Sequence, residues 1–350
     1  MLLRTVLTLA ISALGGLEAL ALSVPAPWIM GGAVSTTAAA MLGVRIAMPD
    51  WMRNVSFILV GLSMGANVDR ESLSLVGQWP ITLSALVIEL IAIVGLTGYM
   101  LRKLFKLDAG TAYLSSFPGH LSFIMGIASA GVGDPRQIAI IQVIRIMMLT
   151  ICVPIGAIFL PIEHFAGAVP AGPMALETLV AVGLACALAG WIFVKLKVPA
   201  GFVLGAMAVA VTARLNGFFD GSIPAPLTTA TFIMIGGLIG TRFVGVTRRE
   251  LKQAAVGGLI ATTMAVAIVT LMAYGASRLV DMPFGQIWLG LAPGALEGMG
   301  ALGVALGYDP AFVAAHHVVR LLLLTFAIPV VAFLARRPSD SARSPGEDHV

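Results

Sequence analysis

Two arginines lie where an apolar chain rarely carries them. Arg145 and Arg320 each sit ten residues beyond the proline of an Asp-Pro pair, Asp134-Pro135 and Asp309-Pro310, inside runs that contain Pro154 and Pro329. At ~1.5 Å per residue, that offset is about 15 Å into a helix, near the middle of a ~30 Å hydrocarbon core. An arginine there costs at least ~2.5–3.5 kcal/mol on insertion scales, so it must face protein, water or a counter-ion. A guanidinium so placed can grip an anionic solute. It can equally be structural, as an ion pair with Glu297 or Glu89, or as a cap on backbone carbonyls. Gln142 and His317 precede the two arginines by three residues, on the same helical face.

Upstream of each arginine stands a helix breaker, Pro118-Gly119 in one case and Pro293-Gly294 in the other. Proline and glycine free backbone groups that a bilayer tolerates only beside protein or a water-filled cavity. Broken helices at matching positions of two halves point to a transporter site, with backbone contacts to the solute from both pairs; the plainer alternative is a packing kink. The two stretches are one motif written twice. From Tyr113 to Pro154 against Trp288 to Pro329, 13 of 42 positions are identical without a gap. Asp134 and Asp309 read as N-caps with proline at the first helical position, and Gln137 is placed to complete a capping box. The copies differ where an asymmetric site needs them to differ: Glu297 stands opposite Ser122, and His120 opposite Ala295. Glu297, His120, Gln142 and His317 are therefore the candidates for proton or cation coupling, with Glu18 and Glu89 weaker.

The elements that position these residues follow from composition. Of 350 residues, 59% are hydrophobic and 11% charged, and the mean hydropathy is +0.99. The fold class is an all-α polytopic membrane protein. Continuous apolar runs exclude a β-barrel. The net charge of +4 comes without a basic, aromatic-laced stripe, so no direct nucleic-acid contact is expected. Cys152 and Cys186 read as small membrane-helix residues. His316 and His317 are adjacent, hence on different helix faces, and no metal set, Walker A, GxGxxG or GxSxG sequence is present. No enzyme activity, metal or cofactor is expected.

The duplication organises the chain as a first membrane repeat, 1–160, a connector, 161–176, a second repeat, 177–335, and a polar tail, 336–350, read as disordered. The N-terminal apolar run reads as a retained span rather than a signal peptide, because its counterpart lies deep in the chain. Val24-Pro25-Ala26 and Val198-Pro199-Ala200 read as helix starts with proline in the first turn. Gly61 and Gly65, and Gly236 and Gly240, predict close helix crossings. If the Pro-Gly segments enter and return on one side, each half has five full spans, and the halves have inverted topology. With both termini cytoplasmic, nearly all loop lysines and arginines then fall inside; Arg214 and Arg278 are exceptions.

The paired Pro-Gly, Asp-Pro and arginine motifs resemble the bacterial AbrB family of duplicated membrane proteins. The resemblance covers residues 5–334 and is most specific over Ser116–Arg145 and Ala292–Arg320. Labels attached to that family run from ammonia monooxygenase to AbrB family transcriptional regulator. The resemblance implies regulation of gene expression, which would be indirect in a chain without a DNA-binding element. The monooxygenase label finds no metal ligands in these residues. The residues themselves favour an ion-coupled secondary transporter of a small, anionic solute, using H+ or Na+, in the bacterial inner membrane, and they leave a homo-oligomer open. A membrane regulator is the alternative, and a membrane monooxygenase comes third.

Overall fold

The computed structural model describes residues 1–68, 75–119, 121–159, 172–245 and 248–335. The Asp69-Arg70-Glu71 loop, His120, most of the connector and the tail lie outside the described residues.

Among the described residues the chain is helical throughout, with 14 α-helices and one short 3-10 turn before the fourth. They are α1 Leu2–Ala21, α2 Pro27–Met41, α3 Asp50–Ala66, α4 Trp79–Phe105, α5 Ala109–Ser116, α6 Leu121–Ser129 and α7 Pro135–Ile158. There follow α8 Leu176–Lys195, α9 Gly201–Leu215, α10 Ala225–Thr241, α11 Arg248–Ser277, α12 Phe284–Leu291, α13 Leu296–Leu306 and α14 Pro310–Ala335.

The burial pattern is compatible with a protein immersed in lipid. Helix α1 turns Thr5, Thr8, Ser12, Gly15, Gly16 and Ala19 inward and presents Leu3, Leu14 and Leu17 outward. Helix α8 buries only Cys186 and Gly190, while Leu184, Leu188 and Trp191 are exposed. In water such an arrangement forfeits the hydrophobic effect; in a bilayer, small and weakly polar residues are the ones that pack helices. Five described helices are long and apolar enough to cross a membrane, at Leu2–Ala21, Val76–Phe105, Leu176–Lys195, Val256–Ser277 and Pro310–Ala335. Helices α2, α3, α9 and α10 have 15 to 17 residues and reach about 22–26 Å, short of a typical core thickness.

Those short helices cross at glycines. A Cβ at Gly65 would lie 2.5 Å from Ala210 Cβ and 2.7 Å from the Met207 carbonyl oxygen, so α3 packs backbone-close on α9. A Cβ at Gly236 would lie 3.0 Å from Gly32 Cα, and one at Gly240 would collide with Thr36, so α10 packs on α2 in the same way. Thr36 Oγ1 also donates to the Gly236 carbonyl at 3.1 Å and Ser12 Oγ to the Ile233 carbonyl at 2.7 Å, tying α2 and α1 to α10. Cys186 is likewise buried at a helix contact, its Sγ 3.3 Å from the Ala206 carbonyl.

Two local expectations are corrected. Helices α2 and α9 start one or two residues later than Pro25 and Pro199 suggest. Ala26 and Ala200 are their N-caps, in the left-handed region at φ 47° and 51°, so the two prolines precede the helix instead of opening it. An L-residue there costs roughly 1–2 kcal/mol. Gln137 does not complete a capping box either. Its Nε2 donates to Asp134 Oδ2 at 2.9 Å, and the Asp134 N–H that a capping box would satisfy donates instead to Thr111 Oγ1 at 2.7 Å.

That last bond fixes the path of the chain. Thr111 is in the first turn of α5, and Asp134 follows α6, so the start and end of this broken segment touch. The second segment closes the same way: Asp309 N–H donates to Gln286 Oε1 at 3.2 Å, joining the start of α12 to the residue before α14. Each Pro-Gly segment is therefore a helical hairpin that returns to where it began, with its break at the tip.

Candidate functional site

Both hairpin tips face one cavity of about 500 Å3. Pro118 and Gly119 line it, as do Pro293 and Gly294, Gln142 and Arg145 from α7, His317 and Arg320 from α14, and Glu297 from α13. Most of the remaining wall is apolar, from residues such as Met30, Leu149, Leu238 and Met299. Of the candidate binding and coupling residues, only His120 is not placed here, because it lies outside the described residues. The two weaker carboxyls, Glu18 and Glu89, do not line the cavity.

Each arginine caps a broken helix. Helix α12 ends at Leu291, and Arg320 Nη1 and Nη2 donate to the carbonyls of Ala292 at 2.6 Å and Gly294 at 2.7 Å. Helix α5 ends at Ser116; Arg145 Nη1 donates to the Ser115 carbonyl at 3.3 Å and Nη2 to Gln142 Oε1. Gln142 Nε2 completes this cap with bonds to the carbonyls of Leu114 and Phe117 at 3.1 and 3.2 Å. The helix dipole adds to the attraction, because a helix C-terminus carries about half a negative charge. Proline and glycine break the helix, and the arginine one helix later satisfies the carbonyls that the break exposes.

These partners are neutral, so both positive charges remain uncompensated by contact. Among the described residues no carboxylate lies within ion-pair distance of Arg145 or Arg320, which are 3% and 2% exposed. Each keeps an Nε–H without a described partner. Glu297, an expected partner for Arg320, is not beside it. It pairs instead with Arg242 at 2.8 Å, because it stands in the first turn of α13, facing the C-terminal end of α10. Arg242 lines the cavity too, although in sequence it reads only as a loop charge and its neighbours carry no signal of a site. The exception to the loop-charge pattern at Arg214 is likewise paired, with Asp220 at 2.7 Å.

The histidines divide. His316 Nδ1 donates to the Phe312 carbonyl at 2.9 Å and its Nε2 meets Thr82 Oγ1 at 2.8 Å, so both nitrogens are occupied. His317 Nδ1 donates to the Val313 carbonyl at 2.9 Å, which leaves Nε2 without a described partner in a side chain that lines the cavity. Outside the helices, the Asp134 carboxyl is held below the usual carboxylate range, chiefly by the backbone N–H of Gln137 and then by that of Arg136.

A helical membrane-type protein with two broken hairpins around a cationic cavity is the class that this fold and site define. Within it the family is settled: residues 28–336 match the model of the AbrB family, described as "Transition state regulatory protein AbrB", and the chain belongs to that family. It is 24% identical to "Uncharacterized protein YhjN" of Bacillus subtilis (strain 168), over 94% of this chain and 92% of that one. It is 23% identical to "Putative regulator AbrB" of Escherichia coli (strain K12), over 89% and 91%. No solved structure matches the chain.

Proposed function

We propose that the protein is a secondary transporter that holds a small anionic solute in the cavity between its two hairpin tips. The observation that carries this reading is the pair of buried guanidiniums, Arg145 and Arg320, lining one cavity with, among the described residues, only carbonyl and amide partners. Three arginines line the cavity against one glutamate, so the space between them favours a negative charge. The apolar walls suit a solute with a hydrocarbon body and one anionic head.

Inverted repeats accompany the reading. Six pairs of helices start 174 or 175 residues apart: α1 and α8, α2 and α9, α3 and α10, α5 and α12, α6 and α13, α7 and α14. Hairpins that return to their own side leave five membrane crossings per half, an odd number, which inverts the second half. The short helices α2, α3, α9 and α10 serve as crossings on this reading, since a bilayer adapts to a short span by thinning, at modest cost. Single cysteines replacing Arg136 and Ala311, in a background without Cys152 and Cys186, are expected to react with an impermeant maleimide from opposite faces of the membrane. Labelling of both from one face would restore parallel halves.

Transport itself is tested by uptake of labelled benzenesulfonate, a permanently charged anion, into proteoliposomes. Uptake above protein-free vesicles is expected for the native chain and not for Arg145→Ala or Arg320→Ala; native-like uptake by both variants would sink the anion assignment. The regulator named among its relatives is a second reading. On it, solute occupancy would act on gene expression through a partner protein.

A further inference from the structure

Glu89 is a buried ionisable group that does not line the cavity. It lies mid-way along α4, is 1% exposed, and neither carboxyl oxygen has a described hydrogen-bond partner. A buried carboxylate normally collects two or three donors; without them its negative charge costs several kcal/mol in so apolar a setting. Among the described residues, the elements packed on α4 supply one electrostatic partner. From α14 it feels the charge of Arg320. His316, on the same helix, is occupied by Thr82 of α4, and His317 turns to the cavity. Helix α11 offers no titratable side chain between Val256 and Ala273, and Tyr274 is exposed. Helix α5 offers Tyr113, which packs at Gly98, about 13 Å further along α4, and Asp108, which is occupied in capping α5. The 3-10 turn Leu75–Gln78 contains no titratable residue.

We propose that Glu89 is the proton-binding site of this protein, and that its carboxylate and the anionic solute compete for the charge of Arg320. The inference rests on the transport reading above. With the solute held, Arg320 is neutralised by it and Glu89 keeps its O–H. When the solute leaves, the proton departs to water and the carboxylate takes over as the counter-charge. One proton then travels with one anion, and the charge of Arg320 stays balanced throughout. A carboxyl that acts only as a fixed counter-ion would stay ionised with or without solute.

Two measurements on the full-length protein in nanodiscs decide. Infrared spectra at neutral pH in the presence of benzenesulfonate are expected to show the C=O stretch of a protonated carboxyl group in native protein and to lose it in Glu89→Gln. Identical spectra would overturn the assignment, and so would a sodium-occupied carboxylate, which gives no such band. Benzenesulfonate affinity is expected to fall about tenfold per pH unit on the alkaline limb in native protein, and to stay within about twofold in Glu89→Gln. Parallel profiles would overturn the competition. Binding of benzenesulfonate with no pH dependence would overturn the coupling alone, whereas no binding by native protein would overturn the anion reading on which it rests.

Discussion

Arg320→Ala is expected to abolish anion uptake and to lower thermal stability more than any other single change at the cavity. Truncation removes the donors of two short hydrogen bonds and strands the carbonyls of Ala292 and Gly294 at the tip of a broken helix. A buried polar group left unsatisfied costs about 1–3 kcal/mol, so the pair contributes a few kcal/mol before any loss of binding. Arg145→Ala is expected to be milder in stability. Its bond to Ser115 is longer, at 3.3 Å, and Gln142 continues to cap Leu114 and Phe117. Both variants should nevertheless lose the solute, since each removes one of the two uncompensated charges. Arg320→Lys separates the two roles: it keeps the charge but not the fork that spans two carbonyls. Thermal unfolding in detergent, read beside uptake, should place it between the native chain and Arg320→Ala. Equal stability losses for Arg145→Ala and Arg320→Ala would contradict the unequal caps.

Gly65→Leu should fail to yield a stably folded chain, whereas Gly95→Leu should be tolerated. At Gly65 the first added carbon already overlaps Ala210 and the Met207 carbonyl, and the backbone of α9 cannot move aside as a flexible side chain could. Overpacking costs about 1–3 kcal/mol even where side chains yield, and more against backbone. Separating α3 from α9 would also open the wall formed by Phe57 and Ala200, both of which line the cavity. At Gly95 an added Cβ meets nothing within 4 Å and faces outward, so leucine there meets only lipid. Size-exclusion profiles of the two purified variants check the contrast; a monodisperse Gly65→Leu would show that this crossing is not tight.

Why some of this is legible in sequence and some is not has a physical reason. A charge or a proline inside an apolar run violates the local solvent, so Arg145, Arg320 and the Pro-Gly pairs stand out unaided. Asp-Pro caps are equally visible, because capping is local chemistry. Partners distant in sequence leave no such mark. Glu297 and Arg242 meet across 55 residues, between a helix start and a helix end, and neither position announces the other. Glu89 reads as one weak carboxyl among several, because α4 is apolar on every side and its sequence does not say which face is buried. The left-handed Ala26 and Ala200 are hidden by the preceding prolines, which read as the first turn of a helix that in fact begins later. The spacing of Gly65 predicts a close approach but not that its neighbour is α9.

If the two arginines together hold an anion in the cavity, ligand binding must show it in the stability of the fold. The most direct measurement is the thermal stability of purified protein across small organic anions and uncharged analogues of the same size, since a ligand held only by the folded state raises its stability. At least one anion is expected to stabilise the native chain more than its uncharged analogue, and none should stabilise a double Arg145→Gln, Arg320→Gln variant that still folds. Stabilisation of that variant by the same anion, to the same extent, would contradict the account.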